Sequence, residues 1–519
     1  MRRLFSSICH YFYDHFSWKD GIVLIICVGV FFGTLVISDQ IFDRMPHLED
    51  EFAYVWQAQV AARGEIFRPS PACPRCFLVP FVIDHNGLRY GKYPLPWPVM
   101  LSFGINLHVR DYVNPFLAAW CIWLIYQLIQ KILSSRSAII GALLLASSPF
   151  FLILSSTLLS HTFSLFLVLV FFNSWLDIFP KNNDKLPFWM LVVISSFSLG
   201  LLMLSRPLTA LGVIVPFLLS GFILLITGSH QQKRLLYVMA GIVMLFIPVY
   251  FLWQYVLTGD PLRNPYTFVW PYDTIGFGPG IGRQTGGYQP RMAILNARAS
   301  LYVGMFDLFG WLSYSWVFLP LGLLVLIIHR NWRALMMSGT LFTLIAAYAL
   351  YWIGSDLLGP RYYFEALPAC VLLSAAAIDW LLGRLPHLNG GQFWKAISSW
   401  RFITISTIFV LLICCSLFFY LPQRLPRFHN LYGANRDRLQ PFITNDRPGI
   451  TPALVIVHIT QSWTDYSSLT ELSNPYFDTP FVFSLSKGAA MDAMAASMFP
   501  KRLIWHYYPD EPFILRSFQ

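Results

Sequence analysis

Long apolar runs separated by short polar turns dominate the pattern of this chain. A hydrocarbon core about 30 Å thick is crossed by roughly 20 helical residues, and eleven segments are long and apolar enough to do so. They lie near residues 20–39, 113–131, 137–155, 161–179, 187–204, 207–227, 235–257, 311–328, 333–353, 362–383 and 402–421. A further stretch, 94–108, is short and rich in proline, and we do not expect it to span. The pattern therefore predicts an all-α polytopic membrane protein with about 11 transmembrane helices.

Basic residues mark alternate ends of these spans. Short cytoplasmic loops of membrane proteins are enriched in Lys and Arg, which predicts a cytoplasmic N-terminus here. The predicted cytoplasmic segments contain Arg2, Arg3 and Lys19; Lys131 and Arg136; Lys181 and Lys185; Lys233 and Arg234; Arg330 and Arg333; and Arg384, Lys395 and Arg401. Three large segments then lie on the outer side: the first loop (40–112), the second loop (258–310) and the tail (422–519).

These outer segments differ in sequence character. The first loop mixes acidic, proline-rich and apolar stretches, which favours helices lying along the membrane surface. The second loop is rich in Gly, Pro and aromatic residues, as in loops that close over ligands, although a flexible connector has the same composition. The tail contains β-like runs at 453–459, 480–485 and 502–507 and a helical stretch at 487–498. We therefore predict a transmembrane domain at 1–421 and a small C-terminal α/β outer domain at 422–519.

Composition supports a membrane protein and excludes other classes. Of the 519 residues, 56% are hydrophobic and only 12% are charged, whereas a soluble chain carries about 25% charged residues. Aromatic residues make up 17%, which suits membrane cores and interfacial belts. The net charge of +10 is spread without a run of five like charges, so we expect no nucleic-acid partner.

Three consecutive carboxylates, Glu49, Asp50 and Glu51, follow the first span. Carboxylates beside a membrane are costly unless they are solvated or paired. One that lies near other acids has a pKa suited to a general base. Acids at a helix N-terminus are also favoured by the helix dipole alone, so a purely structural role stays open. We take Asp50 and Glu51 as candidate catalytic residues, with Tyr54 beside them.

Cationic and polar residues fall at the outer ends of other spans. Lys92 precedes a proline-rich entry at headgroup level, and separate outer turns hold His161, Arg206, Asp356, Arg361 and Tyr362. The guanidinium group binds phosphate oxygens well. Each residue alone could be a helix cap or an interface anchor, but together they predict an outward cavity. We assign Lys92, Arg206 and Arg361 to phosphate binding. The candidate cavity residues are Tyr54, His161, Asp356 and Tyr362.

Several other chemistries have no support in the sequence. It contains no P-loop, no dinucleotide-binding glycine motif in a strand–helix setting, and no paired-His metal motif. Cys73 and Cys76 lack the second pair that a zinc site needs. A disulfide between them and two free thiols are both open.

Five groups of short motifs follow one another along the membrane region. They are Asp50-Glu51 with Tyr54 and Ala58; Lys92-Tyr93-Pro94 with Trp97-Pro98; Ser148-Pro149 before Ser160-His161-Thr162; Thr258-Gly259-Asp260-Pro261 with Gly276-Phe277-Gly278; and Gly359-Pro360-Arg361-Tyr362. In this order and on one side of the membrane, they resemble the GT-C class of integral-membrane glycosyltransferases. The likeness is to the protein mannosyltransferase and aminoarabinose transferase branch (glycosyltransferase family 39-like), over about residues 20–383.

The resemblance implies a GT-C fold whose first loop carries surface helices and the catalytic acid. It also implies a sugar on a polyprenyl phosphate as donor and inversion at the anomeric centre. Asp50 matches the catalytic acid, with Glu51 beside it, and Lys92 matches the lysine that meets the lipid phosphate. His161 stands where many relatives place an acid, so we predict no metal and no other cofactor. One departure is Pro94-Leu95-Pro96, where the branch often has two prolines after the tyrosine.

We therefore expect an inverting glycosyltransferase with Asp50 as general base. It would move a sugar from a polyprenyl-phosphate donor to a hydroxyl of a glycan, lipid or protein. The expected location is a bacterial inner membrane with the tail in the periplasm, among membrane lipids. Two alternatives stay open: a polyprenyl-linked sugar flippase or transporter, and a polysaccharide polymerase or ligase. Charges spread through the midplane would favour transport, whereas here they gather at the outer boundary.

Overall fold

Helices form most of the structure. The computed structural model describes residues 17–180, 189–383, 392–443, 449–459 and 463–517, with backbone alone for 392–399. The long helices are Trp18–Gln40, Val113–Ile132, His161–Ile178, Trp189–Ser205, Pro207–Thr227, His230–Met244, Phe246–Thr258, Pro290–Asp307, Trp332–Tyr348, Leu367–Leu382 and Gln392–Cys414. Shorter helices at Ser135–Ala146, Pro149–Ser155 and Phe318–Ile328 complete the bundle.

All eleven predicted spans coincide with helices. Among the described residues, seven helices are long and apolar enough to cross a membrane, or up to nine if each of two bent pairs is one span. The first pair, Ser135–Ala146 and Pro149–Ser155, bends by 59°, and the pair Pro290–Asp307 and Leu312–Ile328 bends by 114°. The prediction of a polytopic helical membrane protein is confirmed.

Small residues let some helices approach backbone to backbone. A Cβ added at Gly322 would lie 1.9 Å from the carbonyl oxygen of Leu373, so a larger side chain cannot fit between these two helices. Elsewhere aromatic rings fill the core, and the rings of Phe171 and Phe217 have centroids 4.7 Å apart. Close backbone approach and dense side-chain packing are what hold helices together in lipid.

The first loop contains two helices, Glu49–Ala61 and Pro96–Asn106, in the segment where surface helices were predicted. Between them lies a small antiparallel sheet that was not predicted, made of β1 (Arg68–Pro69), β2 (Val82–His85) and β3 (Leu88–Gly91) in the order β1-β3-β2. The hairpin between β2 and β3 turns through Asn86 and Gly87, both with positive φ. This is the backbone that a two-residue hairpin requires.

The tail folds around a four-stranded sheet in the order β5-β4-β6-β7. The predicted runs become β4 (Ala453–Val457), β5 (Phe481–Leu485) and β6 (Leu503–Tyr507), which are parallel to one another. The predicted helix is Ala489–Ser497, and an antiparallel edge strand, β7 (Leu515–Ser517), was not predicted. The α/β character of the tail is confirmed, while the domain boundary at residue 421 stays a prediction. Two short helices, Leu421–Arg424 and Gln440–Ile443, precede the sheet, and a third, Thr464–Ser467, lies between β4 and β5.

The first loop and the tail pack against each other. Cys73 and Cys76 form a disulfide with a Cα–Cα distance of 5.4 Å, which decides between the two open possibilities. The neighbouring Phe77 ring contacts Phe477 at 4.7 Å and Phe499 at 6.0 Å between centroids. The tail is therefore seated on the first loop.

The predicted cytoplasmic turns meet at one end of the bundle. The Asn331 amide donates to the Ile132 carbonyl at 3.0 Å, and the Arg333 guanidinium donates to the Phe179 carbonyl at 2.5 Å. The orientation itself stays a prediction. Several basic residues on which it depends lie outside the described residues: Arg2, Arg3, Lys181, Lys185, Arg384 and the side chain of Lys395.

Candidate functional site

Asp50 lies in the first turn of helix Glu49–Ala61, where the helix dipole favours a negative charge. The Tyr93 hydroxyl donates to its Oδ1, and Arg361 Nη1 lies 3.3 Å from its Oδ2. Burial and the Asp50 charge raise the pKa of Tyr93 well above its ordinary value, so Tyr93 stays a donor. The carboxylate is 24% exposed. Two fixed donors thus orient an accessible carboxylate.

Glu51 has a different environment from Asp50. Its Oε2 accepts hydrogen bonds from the backbone N–H groups of His47 and Leu48 at 2.8 and 2.9 Å. Its Oε1 accepts from the Leu158 N–H at 2.8 Å. The residue is 2% exposed. These bonds satisfy backbone N–H groups that would otherwise lack a partner, at the helix start and at a distant turn. They give Glu51 a structural role, and its catalytic role stays a prediction.

The Lys92 ammonium lies in an aromatic box. Its Nζ is 3.5 Å from the ring centroid of Phe81, 4.8 Å from Tyr266 and 4.9 Å from Trp270. The side chain is 3% exposed. Burial lowers the pKa of Lys92 below its ordinary value, although the nearby carboxylates of Asp50 and Asp273 oppose this shift. Rings of this kind attract a cation through their faces.

Asp273 from the second loop supplies the nearest carboxylate to Lys92, with Oδ2 at 3.9 Å from Nζ. Its Oδ1 accepts hydrogen bonds from the Tyr351 hydroxyl at 3.1 Å and the Trp352 indole at 3.0 Å. Sequence analysis missed Asp273, which is one carboxylate in a long Gly- and Pro-rich loop. Asp273 therefore places the second loop next to Lys92 and joins it to Tyr351 and Trp352 of the helix bundle.

A second polar cluster surrounds Arg206, in the turn between two spans. The Arg206 guanidinium contacts the His161 ring at 2.7 Å and the Tyr348 hydroxyl at 3.0 Å. Its Nε lies 3.6 Å from Glu365 Oε1. Glu365 is fully buried, and within the described residues neither of its oxygens accepts a hydrogen bond. An ionisable residue inside an apolar span is itself a signal of function, and that signal could have identified Glu365.

Aromatic residues connect the two clusters. The Tyr54 ring lies 4.4 Å from the Tyr93 ring, and its hydroxyl is 3.3 Å from Ser160 Oγ. On the other side, the Tyr362 ring stacks on Tyr348 at 4.9 Å. The predicted residues from five separate chain segments therefore form one continuous site: Asp50, Tyr54, Lys92, His161, Arg206, Arg361 and Tyr362.

Asp356 does not join this site. It is exposed, and the structure gives it no hydrogen bond or ion pair among the described residues. A short loop after helix Trp332–Tyr348 turns it outward. Its position in an outer turn had predicted a place in the cavity, and the structure instead leaves its side chain exposed to solvent.

An apolar cavity of about 350 Å³ begins at the proline-rich segment that follows Lys92. It runs between helix Pro96–Asn106, helix Trp189–Ser205 and helix Phe246–Thr258, and almost all of its lining is apolar. Its lining includes Pro94, Pro96, Met100, Phe103, Leu201, Val249 and Trp253. Such a surface is suited to a hydrocarbon chain.

The donor sets present do not fit a metal ion. In the parts of the chain that the structure describes, no three His, Cys, Asp or Glu side chains come together as ligands. Asp50 and His161 each face an arginine instead. The independence from metal stays a prediction.

The fold is that of the GT-C class of integral-membrane glycosyltransferases, as the sequence resemblance implied. ArnT from Cupriavidus metallidurans bound to undecaprenyl phosphate matches 95% of this chain and 90% of its own, with 14% identity and a TM-score of 0.58. The archaeal oligosaccharyltransferase AglB from Archaeoglobus fulgidus, in complex with an inhibitory peptide and a dolichol-phosphate, matches 96% of this chain and 70% of its own. Its identity is 13% and its TM-score is 0.52.

The sequence also matches one family model. The model of the dolichyl-phosphate-mannose-protein mannosyltransferase family matches residues 112–253, a region that begins at the end of the first loop and includes His161 and Arg206. No curated protein matches the chain significantly.

Proposed function

We propose that this protein transfers a sugar, with inversion, from a polyprenyl-phosphate donor to a hydroxyl group at the outer face of a membrane. The observation that carries the proposal is the Asp50 carboxylate, oriented by Tyr93 and Arg361 beside the Lys92 ammonium. The lipid phosphates named with ArnT and AglB support the donor class. The sugar and the acceptor are left open.

The lipid donor has two complementary surfaces. Its hydrocarbon chain fits the apolar cavity that begins at Pro94, and Lys92, two residues before Pro94 in the chain, would meet the phosphate. Arg361 and Arg206 add positive charge at the same site. Phosphate binding at Lys92 requires the Asp273 carboxylate to move away, because two anions cannot share one buried ammonium without strong repulsion.

Asp50 accepts the proton of the acceptor hydroxyl as its oxygen attacks the anomeric carbon. The new C–O bond forms while the bond from that carbon to the phosphate oxygen breaks, and polyprenyl phosphate leaves with the electron pair. Lys92 and the arginines stabilise the charge that develops on the leaving phosphate. A single displacement of this kind inverts the anomeric centre.

The proposed setting is a bacterial inner membrane, with the N-terminus in the cytoplasm and the tail in the periplasm. The alternation of Lys and Arg along the chain supports this orientation. The partners are the lipid donor, a glycan, lipid or protein acceptor, and the surrounding membrane lipids.

A lipid-carrier transporter is the second candidate. Buried charges inside the bundle, Arg206 and Glu365, are a feature that such proteins share. A carboxylate oriented by two donors has no evident purpose in transport, so we prefer transfer.

A transfer assay in liposomes tests the proposal. Purified wild type, Asp50→Asn and Asp356→Asn receive radiolabelled polyprenyl-phosphate sugars and a membrane extract as acceptor. We expect label in a new product with wild type and with Asp356→Asn, the exposed control. The transfer rate of the Asp50→Asn variant should be about 10²–10⁴-fold lower than that of wild type, which is the usual contribution of a general base. Label that stays on the lipid with every donor would instead favour transport.

A further inference from the structure

Glu365 is a buried carboxylate that has no role in the mechanism given above. It lies in the short 3₁₀ helix Arg361–Ala366, and none of its side chain is exposed. Within the described residues, neither of its oxygens accepts a hydrogen bond. An ionised carboxylate in such surroundings is costly unless a cation compensates its charge.

The cation that compensates Glu365 is Arg206, whose Nε lies 3.6 Å from Glu365 Oε1. The other groups that contact the guanidinium are the His161 ring and the hydroxyls of Thr209 and Tyr348. None of these groups supplies a negative charge, and arginine keeps its positive charge in proteins. In the part of the chain that the structure describes, Glu365 is therefore the carboxylate that faces Arg206.

The two partners differ in how a ligand can reach them. Arg206 keeps 11% of its side chain exposed, whereas Glu365 keeps none. Helix Arg361–Ala366 packs against the helices His161–Ile178 and Trp332–Tyr348, so the carboxylate is held inside the bundle. A phosphate group that reaches Arg206 therefore has to share this cation with a carboxylate that stays in place.

The other two cations assigned to the phosphate have carboxylates of a different kind. Asp273 belongs to the second loop, and donor binding as proposed above requires it to leave Lys92. Asp50, beside Arg361, is 24% exposed and is assigned to the acceptor hydroxyl. By contrast, Glu365 lies in a packed helix, so its charge stays next to the site while the phosphate is bound.

We propose that Glu365 acts through Arg206 as a permanent counter-charge, which weakens the binding of polyprenyl phosphate and speeds the release of this product. Like charges repel strongly in a partly dry site, so the carboxylate raises the free energy of the bound phosphate. Product release limits the turnover of many enzymes, and an anion bound by several cations leaves slowly unless its binding is opposed. Glu365 does not touch the substrate, so it is a positioning residue. This assignment rests on the proposed function, because it takes polyprenyl phosphate as the product.

Titration of the purified full-length protein with polyprenyl phosphate in detergent measures the effect. Glu365→Gln removes the charge and keeps the shape, and we expect it to bind polyprenyl phosphate about tenfold more tightly than wild type. Glu365→Asp keeps the charge and should stay closer to wild type. The matched control, Glu471→Gln, removes a carboxylate that faces Arg110 between the first loop and the tail, and it should bind like wild type.

Turnover kinetics separate product release from chemistry. In Glu365→Gln we expect a first turnover at the wild-type rate and slower later turnovers, because tighter binding mostly reflects slower dissociation. A first turnover slowed as much as the later ones would overturn the proposal, since it would place the effect in the chemical step. Unchanged or weaker affinity in Glu365→Gln would do the same, because it is the result for a carboxyl that carries a proton or only supports the fold.

Glu365→Gln leaves Arg206 without its buried partner, and such a change can prevent folding. The variant is therefore also purified with polyprenyl phosphate present. We expect the phosphate to replace the missing negative charge and to raise the unfolding temperature of the variant more than that of wild type. A variant that folds in neither condition would contradict the proposal.

The wild-type protein distinguishes this inference from the proposed function. Wild type that neither binds polyprenyl phosphate nor transfers a sugar would overturn the proposed function together with this inference. Active wild type, with an affinity that Glu365→Gln leaves unchanged, would overturn this inference alone.

Discussion

Asp50 and Glu51 are adjacent acids whose side chains make different contacts. The longer Glu51 side chain reaches back to the N–H groups at the start of its own helix and to the Leu158 N–H. Asp50 points instead to Tyr93 and Arg361. The difference comes from backbone direction and side-chain length, because both residues carry the same functional group.

Replacing Glu51 with Gln should lower stability more than it lowers turnover. The change removes the charge that accepts three backbone hydrogen bonds, and we expect a loss of about 2 kcal/mol in the free energy of unfolding. Thermal unfolding in detergent measures it, with the exposed neighbour Glu49→Gln as control. A Glu51→Gln protein as stable as wild type but inactive in transfer would restore Glu51 to the catalytic group.

The Lys92 ammonium predicts a pH dependence for donor binding. Burial lowers the pKa of Lys92, and only the charged form binds phosphate strongly. Affinity for polyprenyl phosphate should therefore fall as the pH rises, beginning below the ordinary lysine pKa. In Lys92→Arg the cation stays charged, so its affinity should be nearly constant. Binding titrations between about pH 7 and 10 check this, and parallel profiles for the two proteins would contradict it.

At the scale of elements, the second loop is a cover attached to the helix bundle. The Gly276 N–H donates to the Leu350 carbonyl at 2.8 Å, and Asp273 accepts from Tyr351 and Trp352. Tyr266 and Trp270 complete the box around Lys92. The composition of this loop was compatible with a cover or a connector, and its contacts favour the cover.

Changing Asp273 to Asn should strengthen donor binding. The amide still accepts from Tyr351 and Trp352, but it no longer competes with phosphate for Lys92. We expect affinity for polyprenyl phosphate to rise about tenfold, equivalent to about 1.4 kcal/mol. The control Asp260→Asn alters an exposed acid of the same loop. Weaker binding by Asp273→Asn would mean that this carboxylate positions Lys92 for phosphate and does not compete with it.

At the scale of the whole molecule, ion pairs join the tail to the first loop. Arg110 Nη1 lies 2.6 Å from Glu471 Oε1 with both side chains mostly buried, whereas Arg63 and Asp478 form a half-exposed pair at 2.6 Å. Removing one partner of a buried ion pair strongly destabilises the folded protein, whereas an exposed pair contributes little to its stability. The two contacts therefore make different predictions.

Glu471→Gln should loosen the tail, and Asp478→Asn should not. The change leaves Arg110 with Asp111 as its remaining carboxylate, at 2.8 Å, and removes a charged hydrogen-bond partner, which we expect to cost roughly 2 kcal/mol at this contact. Limited proteolysis of the purified protein measures it, through the rate at which a tail fragment is released. Equal release rates for the two variants would show that apolar contacts such as Phe77 with Phe477 hold the tail unaided.

The sequence by itself determined the features that depend on local pattern. A bilayer requires continuous apolar runs, so the spans could be located directly, and the β-like runs of the tail could be identified in the same way. The candidate residues Asp50, Lys92, Arg206 and Arg361 were also identified from the sequence, since charged groups are rare beside apolar segments. Their assigned roles stay proposals.

Only the tertiary structure decided which of these groups meet. Asp50 and Arg361 are 311 positions apart, and no local pattern reports such a pairing. The same holds for the contact between Asp273 Oδ2 and Lys92 Nζ. The exposure of Asp356 was likewise visible only in the structure. Contacts between distant segments depend on how helices pack in three dimensions, and the spacing of residues along the chain does not encode that packing directly.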